Sequence, residues 1–207
     1  MLHYETVDIS TLGLLKRLQC LPVLSDTRLV GGTALALQLG HRKSVDLDFF
    51  GSWDLSESLE ESLSQCGTTR REGGRIRMQF YNIDGVKVDC VTYDAPWLDP
   101  PILEDGLRLA AERDIAAMKL FAIANRGARK DFIDVWFLLG RHDLPTLIQW
   151  FSAKYPDSEW PLVLRSLVYF EDAERTPMPE MLLPFDWETA KEDIRSAVRK
   201  FATTVSP

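Results

Sequence analysis

The sequence has few of the features that define several large protein classes. Its 207 residues contain only three cysteines, Cys20, Cys66 and Cys90, which lie far apart and form neither a CxxC pair nor a Cys/His cluster. This spacing argues against a zinc site or a disulfide framework and favours free thiols in a reducing compartment. No apolar run reaches membrane-spanning length, and the N-terminus does not have the charged-then-apolar pattern of a signal peptide. We therefore expect a cytoplasmic protein.

An excess of positive charge is also absent. The formal net charge is −7, and neither end of the sequence forms a charged tail. A protein dedicated to nucleic-acid binding usually has a basic excess, so any contact with RNA must depend on a local patch. The most concentrated positive segment outside residues 126–130 contains Arg70, Arg71, Arg75 and Arg77. Strand alternation would place the last two on one face, which is either a solvated sheet face or a surface for RNA.

The hydrophobic pattern changes in character near residue 94 and divides the chain. Hydrophobic residues make up 45% of the sequence, which is enough for a substantial core. Residues 1–100 mix helical periodicity with alternating strands and include a strong hairpin signal at Asp84-Gly85. Residues 101–207 follow a pair of adjacent prolines and have helical periodicity. We therefore predict an α/β fold with a mixed sheet in residues 1–100, followed by an all-helical region in residues 101–207.

The boundaries of the predicted elements follow from the same patterns. Helices are predicted from about Ser10, over residues 33–39, from Ser56 to Ser64, and over residues 111–125, 130–139, 145–154, 159–171 and 187–203. Strands are predicted to end at Leu29-Val30 and to cover residues 44–50, 76–81 and 86–93.

Two aspartates on a predicted strand form the first candidate site. Asp46 and Asp48 flank Leu47, so strand alternation places both carboxylates on one face and Leu47 in the core. The carboxylates are then roughly 7 Å apart along the strand, a separation that one or two hard cations can bridge. A DxD pattern alone is weak evidence, because it also occurs at solvated strand ends, in glycosyltransferases and by chance.

The surrounding sequence strengthens the prediction of a metal site. Gly31, Gly32 and Thr33 open a predicted helix, where glycines let the backbone approach a ligand and free N–H groups can bind phosphate. Asp89, on the strand 86–93, joins the same site if the two strands are neighbours, and otherwise faces water on an edge strand. Three carboxylates around two Mg²⁺ ions form the two-metal arrangement, in which one metal activates an attacking hydroxyl and the other holds a triphosphate.

Four segments resemble the AbiEii/AbiGii-type toxin nucleotidyltransferases of the polymerase-β-like superfamily. They begin at Gly31 (GGTALAL), His41 (HRKSVDLDFF), Asp114 (DIAAMKL) and Arg126 (RGARKDFIDV). The resemblance implies a polymerase-β-like nucleotidyltransferase core, a nucleoside triphosphate donor and Mg²⁺, with Mn²⁺ as the other candidate metal. It also implies transfer of a nucleotidyl group to a macromolecular acceptor, such as a tRNA 3′ end or a protein, by a toxin with a cognate antitoxin.

The resemblance also extends the site into the helical region, which is expected to complete it. The family pattern carries over Lys119, which we expect to bind the triphosphate, and the pair Lys130-Asp131, with Asp134 beyond. Asp131 and Asp134 share a helical face at i,i+3. Either one acts as general base, with Asp131 the better candidate, or they pair with Arg129 or Lys130. Lys119 lies on an otherwise apolar helical face, where its ammonium either binds phosphate or reaches the rim of that face. We expect Lys119→Met to preserve the fold. Arg42, just before the DxD strand, either contacts phosphate or forms a surface ion pair.

Three alternatives to a toxin remain at this point. A small-molecule nucleotidyltransferase of the aminoglycoside-modifying type would suit an acidic surface that attracts a cationic drug. A DxD glycosyltransferase would need neither the Gly-Gly-Thr turn nor the third aspartate. A nucleotidyltransferase fold that only binds a partner is disfavoured because all three acids are present.

Overall fold

A computed structural model describes residues 1–52 and 57–205, which form two compact units. The first unit comprises Met1–Ala95 and Pro100–Ala111, and we call it the sheet unit. The second comprises Pro96–Asp99 and Glu112–Pro207, and we call it the helical unit. No helix within residues 1–52 and 57–205 is both long enough and apolar enough to cross a membrane.

The sheet unit has three helices and seven strands in its described residues. The helices are α1 (Ile9–Gln19), α2 (Gly31–Leu39) and α3 (Glu57–Ser64), and short 3-10 turns lie at Tyr4–Thr6 and Pro22–Leu24. The strands are β1 (Thr27–Val30), β2 (Leu47–Gly51), β3 (Thr69–Arg75), β4 (Met78–Ile83), β5 (Val86–Thr92), β6 (Ile102–Glu104) and β7 (Leu107–Leu109). Residue Ser56, where the third helix was predicted to begin, lies outside the described residues.

The seven strands form one sheet in the order β3-β4-β5-β2-β1-β7-β6. The sheet is mixed, as predicted, because β2 pairs with β5 and β1 pairs with β7 in parallel while the other neighbours are antiparallel. Alternation along β2 and β5 buries Leu47, Phe49, Val88 and Cys90 completely. The residues between them face the opposite side, and these include Asp48 and Asp89.

The sheet unit extends further along the chain than the sequence predicted. Residues 102–109, expected to be helical, form the hairpin β6-β7 at the edge of the sheet. Asp105 and Gly106 connect its strands with positive φ angles of 52° and 79°. Asp-Gly is a preferred sequence for two-residue hairpin turns in which both residues have positive φ. Three-residue strands contain too little alternation to be recognised from sequence, so the boundary of the helical part moves to Glu112. Strand β3, rich in arginine and glycine, was also not predicted.

The arginine-rich segment also differs from its prediction. Residues 76–81 were expected to form one strand, with Arg75 and Arg77 on the same face. Instead β3 ends at Arg75, β4 begins at Met78, and Arg77 lies in the turn between them. Arg77 pairs there with Asp94. A tight turn between two antiparallel strands therefore replaces the predicted continuous strand.

The helical unit contains the helices predicted for the second half of the chain. They are α4 (Glu112–Asn125), α5 (Arg129–Leu139), α6 (Leu144–Lys154), α7 (Trp160–Leu167), α8 (Glu171–Glu174) and α9 (Trp187–Val205). The predicted helix 159–171 is interrupted after Leu167, and the short α8 follows. The ring centroids of Phe132 and Phe170 lie 4.9 Å apart, and those of Phe132 and Trp187 lie 6.2 Å apart.

A buried ion pair attaches residues 96–99 to the helical unit. Lys154 and Asp114 both have fully buried side chains, and Lys154 Nζ lies 2.6 Å from Asp114 Oδ1. Lys154 also donates to the carbonyl oxygen of Pro96 at 2.9 Å. Asp114 accepts from the backbone N–H groups of Leu98 and Asp99. Each buried charge is therefore opposed by the other and bound to the same four-residue segment.

This ion pair predicts a large stability effect for a single substitution. Lys154→Met is expected to lower the free energy of unfolding by about 3–5 kcal/mol, because it leaves the Asp114 carboxylate buried without its cation. Chemical denaturation measures the change. Arg175→Met is the control, since it removes an exposed cation 3.7 Å from Asp172 and should cost far less. Equal losses in the two variants would contradict the described role of Lys154.

Candidate active site

Strand pairing brings two of the predicted carboxylates together. Asp48 of β2 and Asp89 of β5 are direct partners in the parallel register of these strands. Directly paired residues project from the same face of a sheet, and neighbouring strands are about 4.8 Å apart. Asp46 lies just before β2, two residues from Asp48. The condition set by the sequence, that the two acidic strands be neighbours, is therefore met.

The surroundings of Asp89 show a concentration of negative charge. Its Oδ2 accepts a hydrogen bond from Lys87 Nζ at 2.8 Å. Its Oδ1 is buried and has no hydrogen-bond partner within the described residues. Partial burial lowers the pKa of Lys87, but the hydrogen bond to Asp89 and the charges of Asp89, Asp48 and Asp46 outweigh it, so the pKa is raised overall. A buried carboxylate oxygen without a donor is a position where a cation can bind.

The paired carboxylates fit a divalent cation of the magnesium type. Carboxylate oxygens are the ligands that Mg²⁺ prefers, and this ion is usually held by one or two carboxylates together with water and substrate phosphate oxygens. Across residues 1–52 and 57–205, no three His, Cys, Asp or Glu side chains are already gathered as a metal-binding group. Asp48 and Asp89 therefore form an open pair rather than a closed cage, and binding of metal by Asp46, Asp48 and Asp89 together stays a prediction.

The glycine turn lies directly against this pair. Gly31 begins α2 with a φ of +69°, and a methyl group at this position would collide with the Asp48 carboxylate. At Gly32 an added methyl group would collide with the guanidinium of Arg42. Gly31 is therefore favoured both by its positive φ and by the close approach of Asp48, whereas a side chain at Gly32 would require the Arg42 guanidinium to move. The N-cap residue of α2, Val30, makes no side-chain capping hydrogen bond, and the first turn of the helix lies next to the Asp48 carboxylate.

Thr33 and Arg42 have more buried positions than the sequence suggested. The Thr33 side chain is buried, and its hydroxyl is hydrogen-bonded to the Ser44 hydroxyl at 2.8 Å and to the Asp46 carbonyl. It therefore fastens the start of α2 to the segment that precedes β2. Arg42 is only 2% exposed and donates to the carbonyl oxygen of Lys43 at 3.0 Å. This burial differs from the surface position expected for an ion pair of Arg42, and its contact with phosphate stays a prediction.

The remaining predicted residues lie in the helical unit, where they form a buried ionic cluster. Lys119 Nζ lies 3.0 Å from Asp131 Oδ1 and 2.6 Å from Asp134 Oδ2, and both aspartates are fully buried. Arg126 binds the two oxygens of Asp131 at 2.9 and 3.1 Å. Lys119 is therefore not a lysine at the rim of an apolar face. Lys130, next to Asp131 on α5, is half-buried.

The cluster perturbs the pKa of Asp131. Burial raises this pKa, but the positive charge of Lys119 and the hydrogen bond from Arg126 outweigh it, and the pKa is lowered overall. Neither partner of Asp131 was predicted from the sequence. Arg126 lies five residues before it, beyond the spacing of residues that pair along a helix. Lys87, missed as a partner of Asp89, shares a strand face with it at a spacing of two, which is a usable signal.

Similar solved structures place this architecture among nucleotidyltransferases. JHP933 from Helicobacter pylori superposes with a TM-score of 0.54 at 19% identity, covering 98% of this chain and 91% of that chain. The nucleotidyltransferase toxin MenT4 (Rv2826c) from Mycobacterium tuberculosis H37Rv superposes with a TM-score of 0.55 at 18% identity, covering 93% and 86% of the two chains. At such identities the likeness establishes the fold, which is that of a nucleotidyltransferase.

Sequence comparison identifies the family. The family model of the nucleotidyl transferase AbiEii toxin of type IV toxin–antitoxin systems matches residues 13–206. The chain therefore belongs to this family and is a nucleotidyltransferase. An uncharacterized protein of Aquifex aeolicus (strain VF5) is 34% identical over 198 residues, which are 90% of this chain and 93% of the relative. The matched region includes every predicted site residue.

The buried cluster changes the expectation for Lys119→Met. Removal of the ammonium leaves Asp131 and Asp134 buried without this cation, so we now expect the free energy of unfolding at pH 7 to fall by about 3–5 kcal/mol. Because the pKa of Asp131 is lowered in the folded wild type, its stabilising contribution is present above the ordinary aspartate pKa and disappears as pH falls through the folded value. The difference between wild type and variant should therefore shrink below about pH 4.

Denaturant unfolding over a series of pH values tests this expectation. Lys200→Met is the control, since it removes an exposed lysine of α9 in the same unit. A pH-independent difference, or one no larger than that of Lys200→Met, would show that Lys119 does not neutralise the buried aspartates.

Proposed function

We propose that this chain transfers a nucleotidyl group from a nucleoside triphosphate to a hydroxyl of a macromolecular acceptor, with Mg²⁺ as the metal. The observation that supports this most directly is the register of Asp48 with Asp89 beside Gly31. This arrangement places two carboxylates next to the start of a helix. Carboxylates bind the metal and helix N–H groups bind phosphate, so one location meets both needs of a metal–triphosphate complex.

The reaction exchanges one phosphorus–oxygen bond for another. The acceptor oxygen forms a bond to the α-phosphorus, the bond from that phosphorus to the α–β bridging oxygen breaks, and pyrophosphate leaves. When bound, the metal supplies positive charge that offsets the charge on the phosphoryl oxygens. Asp46, Asp48 and Asp89 hold it in this proposal. The N–H groups of Gly31, Gly32 and Thr33 bind the phosphates.

The proton of the acceptor hydroxyl has two candidate destinations. Asp131 is the candidate that the family pattern implies, but its lowered pKa makes it a weak proton acceptor. Asp89 is the second candidate, because its Oδ1 is buried beside Asp48 and has no donor within the described residues. Lys119, Lys130 and Arg42 remain proposed contributors to nucleotide binding. Lys119 is held between two carboxylates and is almost completely buried, so contact with a triphosphate requires its ammonium to become accessible.

A cellular macromolecule is the preferred acceptor. A toxin must act on a component that the cell needs, and this favours an RNA or protein acceptor over an aminoglycoside. A cognate antitoxin is the expected partner, because a cell that makes such a toxin must keep it inactive. A protein that only binds through this fold is the alternative, and loss of activity in a variant with an intact fold separates the two.

The metal site predicts opposite effects of one substitution on activity and stability. Asp48→Asn should abolish transfer of label from an α-labelled nucleoside triphosphate, because it removes one of the paired carboxylates. Its melting temperature without metal should equal or exceed that of the wild type, since fewer negative charges repel one another. Addition of Mg²⁺ should raise the melting temperature of the wild type and not of the variant.

The labelling assay uses total RNA, cell protein and an aminoglycoside panel as alternative acceptors. Glu61→Gln, an exposed acid on α3, serves as the charge-matched control and should retain activity. Full activity of Asp48→Asn would exclude the two-metal assignment. Label on the aminoglycoside alone would exclude the macromolecular acceptor while keeping the reaction.

Toxicity gives an independent test in cells. Expression of the wild-type chain should slow bacterial growth, and Asp46→Ala should relieve the inhibition because it removes a proposed metal ligand. Growth curves at matched expression levels measure the effect. Equal inhibition by both proteins would show that growth arrest comes from something other than nucleotidyl transfer.

A further inference from the structure

The sheet face that carries the carboxylate pair continues across the outer strands. Phe80 of β4 is the register partner of Asp89, and Gly73 of β3 is the partner of Phe80. Asp48, Asp89, Phe80 and Gly73 therefore form one row across four strands on one face. Phe80 is half-buried, whereas its chain neighbour Tyr81, on the other face, is 1% exposed. The row thus leads from the proposed metal ligands to a partly exposed aromatic ring.

A β-bulge places two arginines on this same face. The pairing of β3 with β4 shifts between Arg71 and Gly73, so that Arg70 is opposite Asn82 and Arg75 is opposite Met78. In a regular strand, residues 70 and 75 would face opposite sides, because their spacing is odd. The extra residue of the bulge brings both to the face of Phe80. Arg71, opposite Tyr81, points to the other face.

Glycine and lysine leave the aromatic ring accessible. A methyl group added at Gly73 would lie 3.8 Å from the Phe80 ring, so any larger side chain at that position would cover the ring. On the other side, Lys87 Nζ lies over the ring at 5.9 Å from its centre, and the Lys87 side chain is 49% exposed. The Phe80 ring therefore has the Lys87 ammonium on one side and glycine, which has no side chain, on the other.

The charge of this surface opposes that of the whole protein. Residues 69–77 contain four arginines and one glutamate in a chain with a net charge of −7. Arg75 is exposed, and its side chain makes no ion pair or hydrogen bond within the described residues 1–52 and 57–205. Arg70 pairs with Glu72 at 2.7 Å, but both are solvent-exposed enough for such a pair to exchange readily with a phosphate.

We propose that Phe80, Arg70 and Arg75 form a platform for a single-stranded nucleic-acid segment, which is the acceptor. A base stacks on Phe80, and the neighbouring phosphates bind the two arginines. The proposal rests on the proposed function, because it gives that reaction its class of acceptor. Single strands are required because the bases of a duplex are stacked on one another and cannot stack on a side chain.

The direction of the row favours the acceptor over the donor nucleotide. Gly31, the proposed phosphate-binding turn, contacts Asp48, on the β2 side of the carboxylate pair. Phe80 lies next to Asp89, on the β4 side. A donor bound at the glycine turn and an acceptor bound on Phe80 would thus reach the carboxylate pair from opposite sides. In-line transfer needs the acceptor oxygen to attack the α-phosphorus opposite the leaving pyrophosphate, and this arrangement is compatible with that geometry.

The matched arginines of β3 give the sharpest test. We expect Arg75→Gln to weaken the binding of a short fluorescein-labelled single-stranded RNA, measured by anisotropy. Phe80→Leu, which keeps an apolar side chain, should weaken it by about tenfold, the scale of one lost base–aromatic contact. Arg71→Gln removes the same exposed charge from the opposite face and should leave the affinity near that of the wild type. The arginine comparison still decides the proposal if Phe80→Leu folds poorly.

Several outcomes would overturn the platform. Equal losses in Arg71→Gln and Arg75→Gln would mean unspecific attraction of RNA to positive charge. Binding of the duplex as tightly as the single strand would exclude stacking on Phe80. Weaker binding of nucleoside triphosphate with Mg²⁺ by Phe80→Leu would assign the ring to the donor instead.

The same variants separate this proposal from the proposed function. If Phe80→Leu and Arg75→Gln bind and label RNA as well as the wild type, the platform is wrong and nucleotidyl transfer stands. If the wild type labels no acceptor but binds single-stranded RNA with the expected order of variants, the platform stands and the proposed reaction is wrong. Asp48→Asn, which leaves the platform intact, should retain RNA affinity in both cases.

Discussion

The parallel pairing of β2 with β5 is the constraint on which the candidate site depends. Its register sets Asp48 beside Asp89, and a shift by one residue would turn one carboxylate into the core and expose an apolar side chain. The buried residues Leu47, Phe49, Val88 and Cys90 resist that shift. The hydrophobic face of the sheet therefore determines the geometry of its charged face. Two carboxylates held this close repel one another, and a bound cation relieves the repulsion.

The helical unit contains buried ion pairs, whose contribution to stability is small compared with that of apolar packing. A buried ion pair gains little stability over well-packed apolar residues, because both charges lose their hydration. Lys119 with Asp131 and Asp134, and Lys154 with Asp114, are nevertheless both almost completely buried. Lys154 and Asp114 fix the backbone of residues 96–99, which gives this pair a structural explanation. The cluster at Lys119 instead joins two helices, because Lys119 of α4 pairs with Asp131 and Asp134 of α5.

Sequence patterns predicted the fold where periodicity was long and turns were distinctive. The hairpin at Asp84-Gly85, the helix that opens with Gly31-Gly32 and helices α4, α5, α6 and α9 were anticipated, whereas the predicted helix 159–171 divides into α7 and α8. Strand β3 was missed because arginine and glycine are poor strand formers, and its pairing depends on β4. The three-residue strands of β6-β7 were missed for lack of length. Local patterns cannot reveal elements that form only against a neighbour.

The candidate site was likewise predictable where it depends on local sequence patterns, and not where it depends on contacts between elements. Alternation was enough to predict that Asp48 and Asp89 face away from the buried side of the sheet, but the pairing of their strands could only be assumed. Asp46 lies just before β2, and its place in the site stays a prediction. The partners of Lys119 required the packing of α4 against α5, which periodicity alone does not specify. The bulge in β3 is a further example, because one extra residue changes which arginines share a face. Such a change is invisible without the register.

The path of the chain between the two units limits how this protein can be divided. Residues 96–99 belong to the helical unit, whereas the stretches on both sides of them belong to the sheet unit. A gene cut near residue 100 would separate β6 and β7 from the sheet and remove the Asp114–Lys154 anchor of the preceding segment. Each unit therefore consists of two separate stretches of the chain, and recombination at a single point cannot exchange a whole unit.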